Sequence, residues 1–172
     1  PKYRGKAPVN WAVLNGETTT GVTLHAMIKQ PDAGDIIDQE SVSIDDEDTA
    51  FDVMKKIQEV AVIILDRQIE KLVSGTATHT PQDHSQATYF GGRTPEGGRI
   101  DWNRSAKEIH NLIRAVSHPY PGAFCDCGSA RLILWKSNCL LKSPALDAPP
   151  GTITNLEPLT VNTSSGQLEI LD

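Results

Sequence analysis

The sequence predicts part of an α/β domain followed by a small all-β, barrel-like domain. Three observations carry that prediction. Two apolar, β-branched runs come early, one long amphipathic stretch follows them, and from residue 123 the chain breaks into short apolar runs separated by Gly, Pro, Asn and Ser. GVTLHAMI (21–28) and IIDQESVSI (36–44) have strand character, because apolar and polar positions alternate and β-branched side chains are frequent. TAFDVMKKIQEVAVIILDRQIEKLVSG (49–75) predicts a helix. Phe51, Met54, Ile57, Ala61, Ile64, Leu65, Ile69 and Leu72 recur at helical spacing as a buried face, Thr49 suits the N-cap, and Gly75 suits the C-terminal stop. Two strands and one helix cannot bury that face and both faces of a sheet, so a larger domain is expected. In keeping with this, the chain opens on PKYRG without a Met and ends inside the strand-like QLEILD, so it is expected to be a fragment of a longer protein.

Residues 76–99, including GGRTPEGGR, are expected to be a polar connecting segment. NRSAKEIHNLIRAV predicts a second helix, with a capping box between Ser105 and Glu108 and a buried face of Ile109, Leu112, Ile113 and Val116. SHPYPGAF stops it, since two prolines and a glycine impose a tight turn. Beyond it RLILWK, GTITNLE, LTVNT and QLEIL are short strand candidates. The expected boundaries are 1–100 for the α/β portion, 101–122 for the linking helix and Pro-rich turn, and 123–172 for an incomplete β domain.

The 172 residues, 38% hydrophobic and 22% charged, have the composition of an ordinary soluble globular chain. A net charge of -6 leaves no general attraction for nucleic acid or anionic membrane. The longest apolar run, VAVIIL (60–65), is far short of the roughly 20 residues that span a bilayer. PKYRGKAPVN has no signal-peptide pattern, and a cytoplasmic protein without a membrane partner is expected. Cys125, Cys127 and Cys139 have neither zinc spacing nor an even count, so reduced thiols on strands and no metal site are expected.

PKYRGKAPVNWAVLNGETTTGVTLHAMIKQPDAGDII (1–37) resembles the central signature of the folate-dependent formyltransferases. RIDWNRSAKEIHNLIRAVSHPYPGAF (99–124) resembles the segment that leads into their C-terminal domain, and the two occur in the family's order. The resemblance implies a Rossmann-like half-domain followed by the family's OB-like C-terminal β barrel. Within the family, the chain is most similar to the enzymes of bacterial lipid A modification that act on UDP-4-amino-4-deoxy-L-arabinose. Methionyl-tRNA formyltransferases are a more distant likeness. The implied reaction moves a formyl group from N10 of 10-formyltetrahydrofolate, the cosubstrate, to a primary amine of a nucleotide-linked amino sugar.

In the family an Asn stabilises the oxyanion, a His handles the amine proton, and an Asp orients that His and raises its pKa. Asp32, in PDAG, matches the Asp. The family's Asn-x-His precedes the position matching Pro1 and does not occur among these 172 residues, so the chain alone is expected to be inactive. His25 is expected to be a packed or wall-lining histidine. By the same resemblance Ile28, Lys29, Gln30, Pro31 and Asp32 match the loop whose backbone meets the pterin, and Lys6 stands where the relatives carry Arg. Lys keeps the charge there but loses the planar fork. Arg93, in YFGGRTPEGGRIDW, offers a contact to a nucleotide-sugar phosphate or carboxylate. From 123 onward three basic residues (Arg131, Lys136, Lys142) face five acidic ones (Asp126, Asp147, Glu157, Glu169, Asp172). A surface that grips tRNA should be basic. Formylation of methionyl-tRNA is therefore the second reading and a non-catalytic binding or dimerisation module the third. Self-association, or fusion to a dehydrogenase domain as in some relatives, is compatible with each.

Overall fold

The structure is a computed structural model and describes residues 1–140 and 148–172; Lys142 and Asp147 of the charge comparison lie outside the described residues. The chain forms two compact units. One comprises Pro1–Ala12, Glu17–Asp48 and Asp52–Arg93, the other Val13–Gly16, Thr49–Phe51 and Thr94–Asp172.

In chain order the elements up to residue 93 are β1 (Arg4–Gly5), α1 (Pro8–Leu14), β2 (Thr19–His25), β3 (Ile36–Ser43), α2 (Ala50–Val73) and β4 (Tyr89–Phe90). β2 and β3 form an antiparallel pair in which Thr19 faces Ser43 and Leu24 faces Asp38, with a register shift at His25. The predicted strand ran on to residue 28. It ends at His25 because the Ala26 N–H turns to the Asp35 carbonyl (2.9 Å) and closes the loop, leaving Met27 95% exposed. The segment 76–99 is more than a connection. Thr80 and Ile36 exchange two 2.8 Å backbone hydrogen bonds, and β4 pairs in parallel with β1, Arg4 against Tyr89 and Gly5 against Phe90. Helix α1, within the first signature, carries no capping or periodicity signal strong enough to predict it from sequence; Val9, Ala12 and Val13 are its buried side chains.

Helix α2 starts directly after Thr49 and closes as the sequence predicts: Gly75 has φ 69°, and the Thr76 and Gly75 N–H groups donate back to Lys71 and Leu72 (2.8 and 3.3 Å) in a Schellman motif. Its buried face differs from the predicted one. Ile64 is buried as predicted and Met54, Ile57, Ala61 and Leu72 are half-buried, but Val53 and Gln68 are buried in addition, and Phe51, Leu65 and Ile69 are 41%, 48% and 50% exposed. The helix is apolar on two sides, and among the described residues only one side is covered. Polar ties hold it to β3 and the turn beyond. Lys56 donates to the Ser43 carbonyl (3.3 Å) and pairs with Asp45 (2.9 Å) and Asp48, while Arg67 forks onto Asp38 (2.8 and 2.9 Å) with Gln68 also donating there (2.7 Å).

The remaining elements are α3 (Ala106–Val116), β5 (Ala123–Cys127), β6 (Ala130–Leu134), β7 (Ser137–Leu140), β8 (Ile153–Leu156), β9 (Leu159–Asn162) and β10 (Gln167–Ile170). The predicted capping box is present: Ser105 Oγ accepts from the Glu108 N–H (3.3 Å) and the Glu108 carboxylate accepts from the Ser105 N–H (2.9 Å). α3 packs against β5, β7 and β10. Ile109, Ile113 and Val116 are buried as predicted, Leu112 only partly, and the polar His110, Asn111 and Arg114 are buried beside them. Each of those three finds a polar partner: Ser137 Oγ lies 3.1 Å from His110 Nδ1, and Asn111 Oδ1 accepts from Arg114 Nε and Nη2 (3.1 and 2.9 Å). The β part consists of an antiparallel β5–β6 hairpin and an antiparallel sheet in the order β7-β10-β9-β8. Cys125 and Cys127 lie on β5 and Cys139 on β7, with burial pushing the Cys125 thiol above its ordinary pKa. No helix of the described residues is long and apolar enough to cross a membrane.

The Arg67 guanidinium beside Asp38 holds that carboxyl below its usual range. A group with a lowered folded pKa contributes stability above its unfolded value, near 4 for Asp, and loses it as pH falls through the folded value. Thermal melts between about pH 6 and pH 3 should therefore show the wild-type melting temperature dropping more steeply than that of Asp38→Asn below about pH 4. Parallel curves would show that this pair adds no pH-dependent stability.

Candidate active-site cleft

The loop from Ala26 to Asp35 carries PDAG, and Asp32 adopts φ 58°. This left-handed conformation disfavours most side chains but is accessible to Asp and Asn, whose short polar groups bond locally. Two ties hold it from elsewhere in the same unit. The Gly5 N–H donates to Asp32 Oδ2 (3.1 Å), and Gln82 Nε2 donates to the backbone carbonyls of Asp32 (3.1 Å) and Gly34 (2.5 Å). The small residues after Asp32 have a steric cause: Ala33 and Gly34 are buried, and a Cβ on Gly34 would stand 1.8 Å from the Ala26 carbonyl oxygen.

Asp32 lies in the wall of a polar cleft of about 680 Å³ that Arg4, Gly5, His25, Gln82 and the hydroxyl-rich β2 strand also line. His25 is a wall-lining residue whose Nδ1–H donates to the Ala26 carbonyl (2.9 Å). The other sequence-predicted residues stand elsewhere. Among the described residues, the walls do not include Lys6, Ile28, Lys29, Gln30, Pro31 or Arg93. Residues 28 to 31 form the exposed tip of the Asp32 loop. Ile28 is 55% exposed, so it is no core residue, and Gln30 reaches back to the Tyr89 hydroxyl (3.4 Å). Lys6 is exposed, its N–H donating to the Phe90 carbonyl (3.0 Å). Arg93 is half-buried with its guanidinium carbon 4.8 Å from the Trp11 ring centroid, and desolvation lowers its pKa. Trp11 is fixed in turn by donation to the Gly91 carbonyl (2.9 Å) and by the Phe90 ring at 5.1 Å.

Sequence reasoning did not single out Arg4, Gln82, His84 or Tyr89. Arg4 is only 4% exposed, yet the partners its guanidinium meets include no carboxylate: they are the Tyr89 hydroxyl (2.9 Å), Gln82 Oε1 (2.5 Å) and His84 Nδ1 (3.3 Å). Arg4 stands inside the PKYRG signature, but nothing in its immediate neighbours distinguishes it from a solvated arginine. Gln82 lies 50 positions from Asp32, beyond the range of any periodicity.

Residues 1–69 match the family model for formyl transferase, and residues 93–172 match that for the formyl transferase C-terminal domain. The chain belongs to the formyl transferase family. Among solved structures it is similar to the N-formyltransferase from Helicobacter canadensis in complex with folinic acid and dTDP-3-aminofucose, at 23% identity and TM-score 0.79 over 100% of this chain and 62% of that one. It is similar also to the sugar 3N-formyl transferase WlaRD, crystallised with dTDP and 5-N-formyl-THF, at 24% identity and TM-score 0.77 over 99% of this chain and 60% of that one. HypX from Aquifex aeolicus, in complex with tetrahydrofolic acid, matches at 22% identity and TM-score 0.73 over 99% of this chain and 30% of that one. At these identities the likeness is one of fold, and the formyl transferase chain spans about three fifths of the two sugar enzymes and less than a third of HypX.

The turn that carries Asp32 should not accept a side chain at position 34. Gly34→Ala is expected to destabilise the protein by about 1–3 kcal/mol in urea unfolding, the usual scale of overpacking against rigid backbone. Gly91→Ala, where a Cβ meets nothing within 4 Å, should stay within about 0.5 kcal/mol. Equal effects at the two positions would show that the 26–34 contact is not rigid.

Proposed function

We propose that the protein carrying this chain transfers a formyl group from 10-formyltetrahydrofolate to the primary amine of a nucleotide-linked amino sugar, of the UDP-4-amino-4-deoxy-L-arabinose type. The observation that carries the proposal is the Asp32 carboxylate, held in a cleft wall by the Gly5 N–H in a turn of positive φ. Family membership supports the reaction class. The folate and dTDP-sugar compounds named with two similar structures support the two substrate classes. The charge of the β part supports a small anionic acceptor over tRNA. Arg131 is tied to Asp126 (3.2 Å), which leaves still less basic surface there for a nucleic-acid backbone.

The residues present fit a folate at the Asp32 loop. The pterin is flat and apolar on its faces with an amide-like edge, and the loop tip offers exposed Met27 and Ile28 next to the exposed residues 29 to 31. Lys6 is the cation we assign to the folate, and Arg93 the one we assign to the nucleotide-sugar phosphate. 10-Formyltetrahydrofolate supplies the activated formyl group. Asp32 is the orienting carboxylate: it holds the imidazole that takes the proton from the attacking amine and stabilises the imidazolium formed. Loss of that proton lets the amine nitrogen keep its new bond to the formyl carbon, while the bond from that carbon to N10 breaks and N10, keeping the bonding pair, takes up a proton as tetrahydrofolate leaves. We propose that the Asn and His of this set lie outside the 172 residues, which contain no Asn-x-His sequence.

Asp32→Asn keeps an oxygen for the Gly5 N–H but removes the charge. In an enzyme that joins this chain to its Asn and His, turnover should fall by about 10² or more, the usual scale for acid–base assistance, and the 172-residue chain assayed alone should give no formylated product above a blank. Wild-type turnover by the variant would remove Asp32 from the reaction.

The acceptor can be decided by competition between the nucleotide amino sugar and charged initiator tRNA. The sugar should have the higher specificity constant, with weak salt dependence because it offers few phosphates. Arg93→Ala should raise KM for the sugar more than KM for the folate. A higher specificity constant for the tRNA would establish the second reading instead.

A further inference from the structure

We propose that Gln82 is a positioning residue that sets the Asp32 loop in its working geometry, and that Arg4 fixes the direction of the Gln82 amide. The inference rests on the role proposed for Asp32. Gln82 is 9% exposed, and its amide is fully engaged. Oε1 accepts from Arg4 Nη2 (2.5 Å), and the two N–H bonds of Nε2 go to the carbonyls of Asp32 (3.1 Å) and Gly34 (2.5 Å). The amide cannot be turned over, because a guanidinium only donates and a carbonyl only accepts. The flipped amide would aim N–H groups at a cation and an oxygen at two carbonyls.

Arg4 is placed independently of Gln82. Its backbone is held by the β1–β4 pairing and by donation of its N–H to the Thr88 carbonyl (2.9 Å), and its side chain by Tyr89 and His84. An orienting cation therefore stands on one side of the amide and the loop that carries Asp32 on the other. The residue type at 82 discriminates between two purposes. A glutamate would give the buried guanidinium a carboxylate partner, the usual arrangement for a buried charge. It would also lose both donors to the loop. A glutamine gives Arg4 an amide oxygen in place of a carboxylate and holds the loop, which is what a positioning role requires and what simple stabilisation of Arg4 does not. Asp32 is then fixed twice, through its carboxylate by Gly5 and through its backbone by Gln82. Displacement of a reacting or orienting group by about 1 Å is enough to cost about 10² in rate.

Gln82→Glu separates the two purposes, in the enzyme that carries this chain with its Asn and His. It keeps the shape and the acceptor for Arg4 but faces two carbonyl oxygens with a carboxylate. The expected result is an unchanged or raised melting temperature, kcat at least about tenfold lower, and KM for the nucleotide sugar within about twofold. The amide resonances of Gly5 and Gly34 should shift as the loop moves away from its ties. Gln82→Met, similar in length and without donor or acceptor, should reproduce the loss of kcat and covers the case in which the Glu variant does not fold. Wild-type kcat in a folded Gln82→Glu or Gln82→Met enzyme would overturn the inference. If the wild-type enzyme itself transfers no formyl group, the proposed function fails, and the positioning claim is then decided by the Gly5 and Gly34 resonances alone. Unchanged resonances in Gln82→Glu would overturn it.

Discussion

A pairing of two residues with two others, Arg4–Gly5 against Tyr89–Phe90, is the constraint on which the site depends. It joins positions 85 residues apart, through the backbone pairing and through the Arg4 guanidinium on the Tyr89 hydroxyl (2.9 Å). Gly5 is required there, because its φ is 105° and a Cβ would stand 2.3 Å from the Phe90 carbonyl oxygen. Once the strands are paired, the Gly5 N–H can meet the Asp32 carboxylate, Arg4 meets Gln82, and Gln82 meets the backbone of the Asp32 loop. The loop has an exposed tip and a fixed base, an arrangement in which exposed residues can meet a ligand while the carboxylate keeps its direction.

Polar ties add to the apolar contacts that seat α2. α2 is held to β3 and its following turn by Lys56, Arg67 and Gln68, and the apolar side chains on its other face remain exposed. Surface ion pairs of this kind are individually weak, about 0–1 kcal/mol, so they supplement the burial of Ala50, Val53 and Ile64 in placing α2. Contiguous exposed apolar side chains such as Val62, Leu65, Ile69 and Val73 are uncommon on a finished monomer surface. In the β part, Arg99 and Arg131 lie 4.8 and 4.0 Å from the Phe124 ring centroid and share Asp126 (2.7 and 3.2 Å), which lowers the Asp126 pKa. Arg131, one of three basic residues from 123 onward, is thereby committed within the protein.

What could be read from the sequence is what depends on neighbours in the chain. The capping box of α3 needs only Ser and Glu three positions apart, and the end of α2 needs only a glycine where φ must be positive, so each was legible before any fold was known. The β2 and β3 strands and the succession of short strands after Ala123 follow from alternation and turn residues. The family followed from two long stretches whose order and content resemble formyltransferases, and Asp32 was named from that resemblance. Tertiary structure decided the rest, because contacts at separations of 50 to 85 residues leave no periodic trace. It ended β2 at His25 through a backbone bond to Asp35, left Phe51, Leu65 and Ile69 of the predicted α2 face exposed while burying Val53 and Gln68, and turned a polar connection into the strand that pairs with β1. It also made Gln82, a residue of no local distinction, the neighbour of Asp32, since only the folded chain brings a buried arginine, an amide and two loop carbonyls within hydrogen-bonding distance.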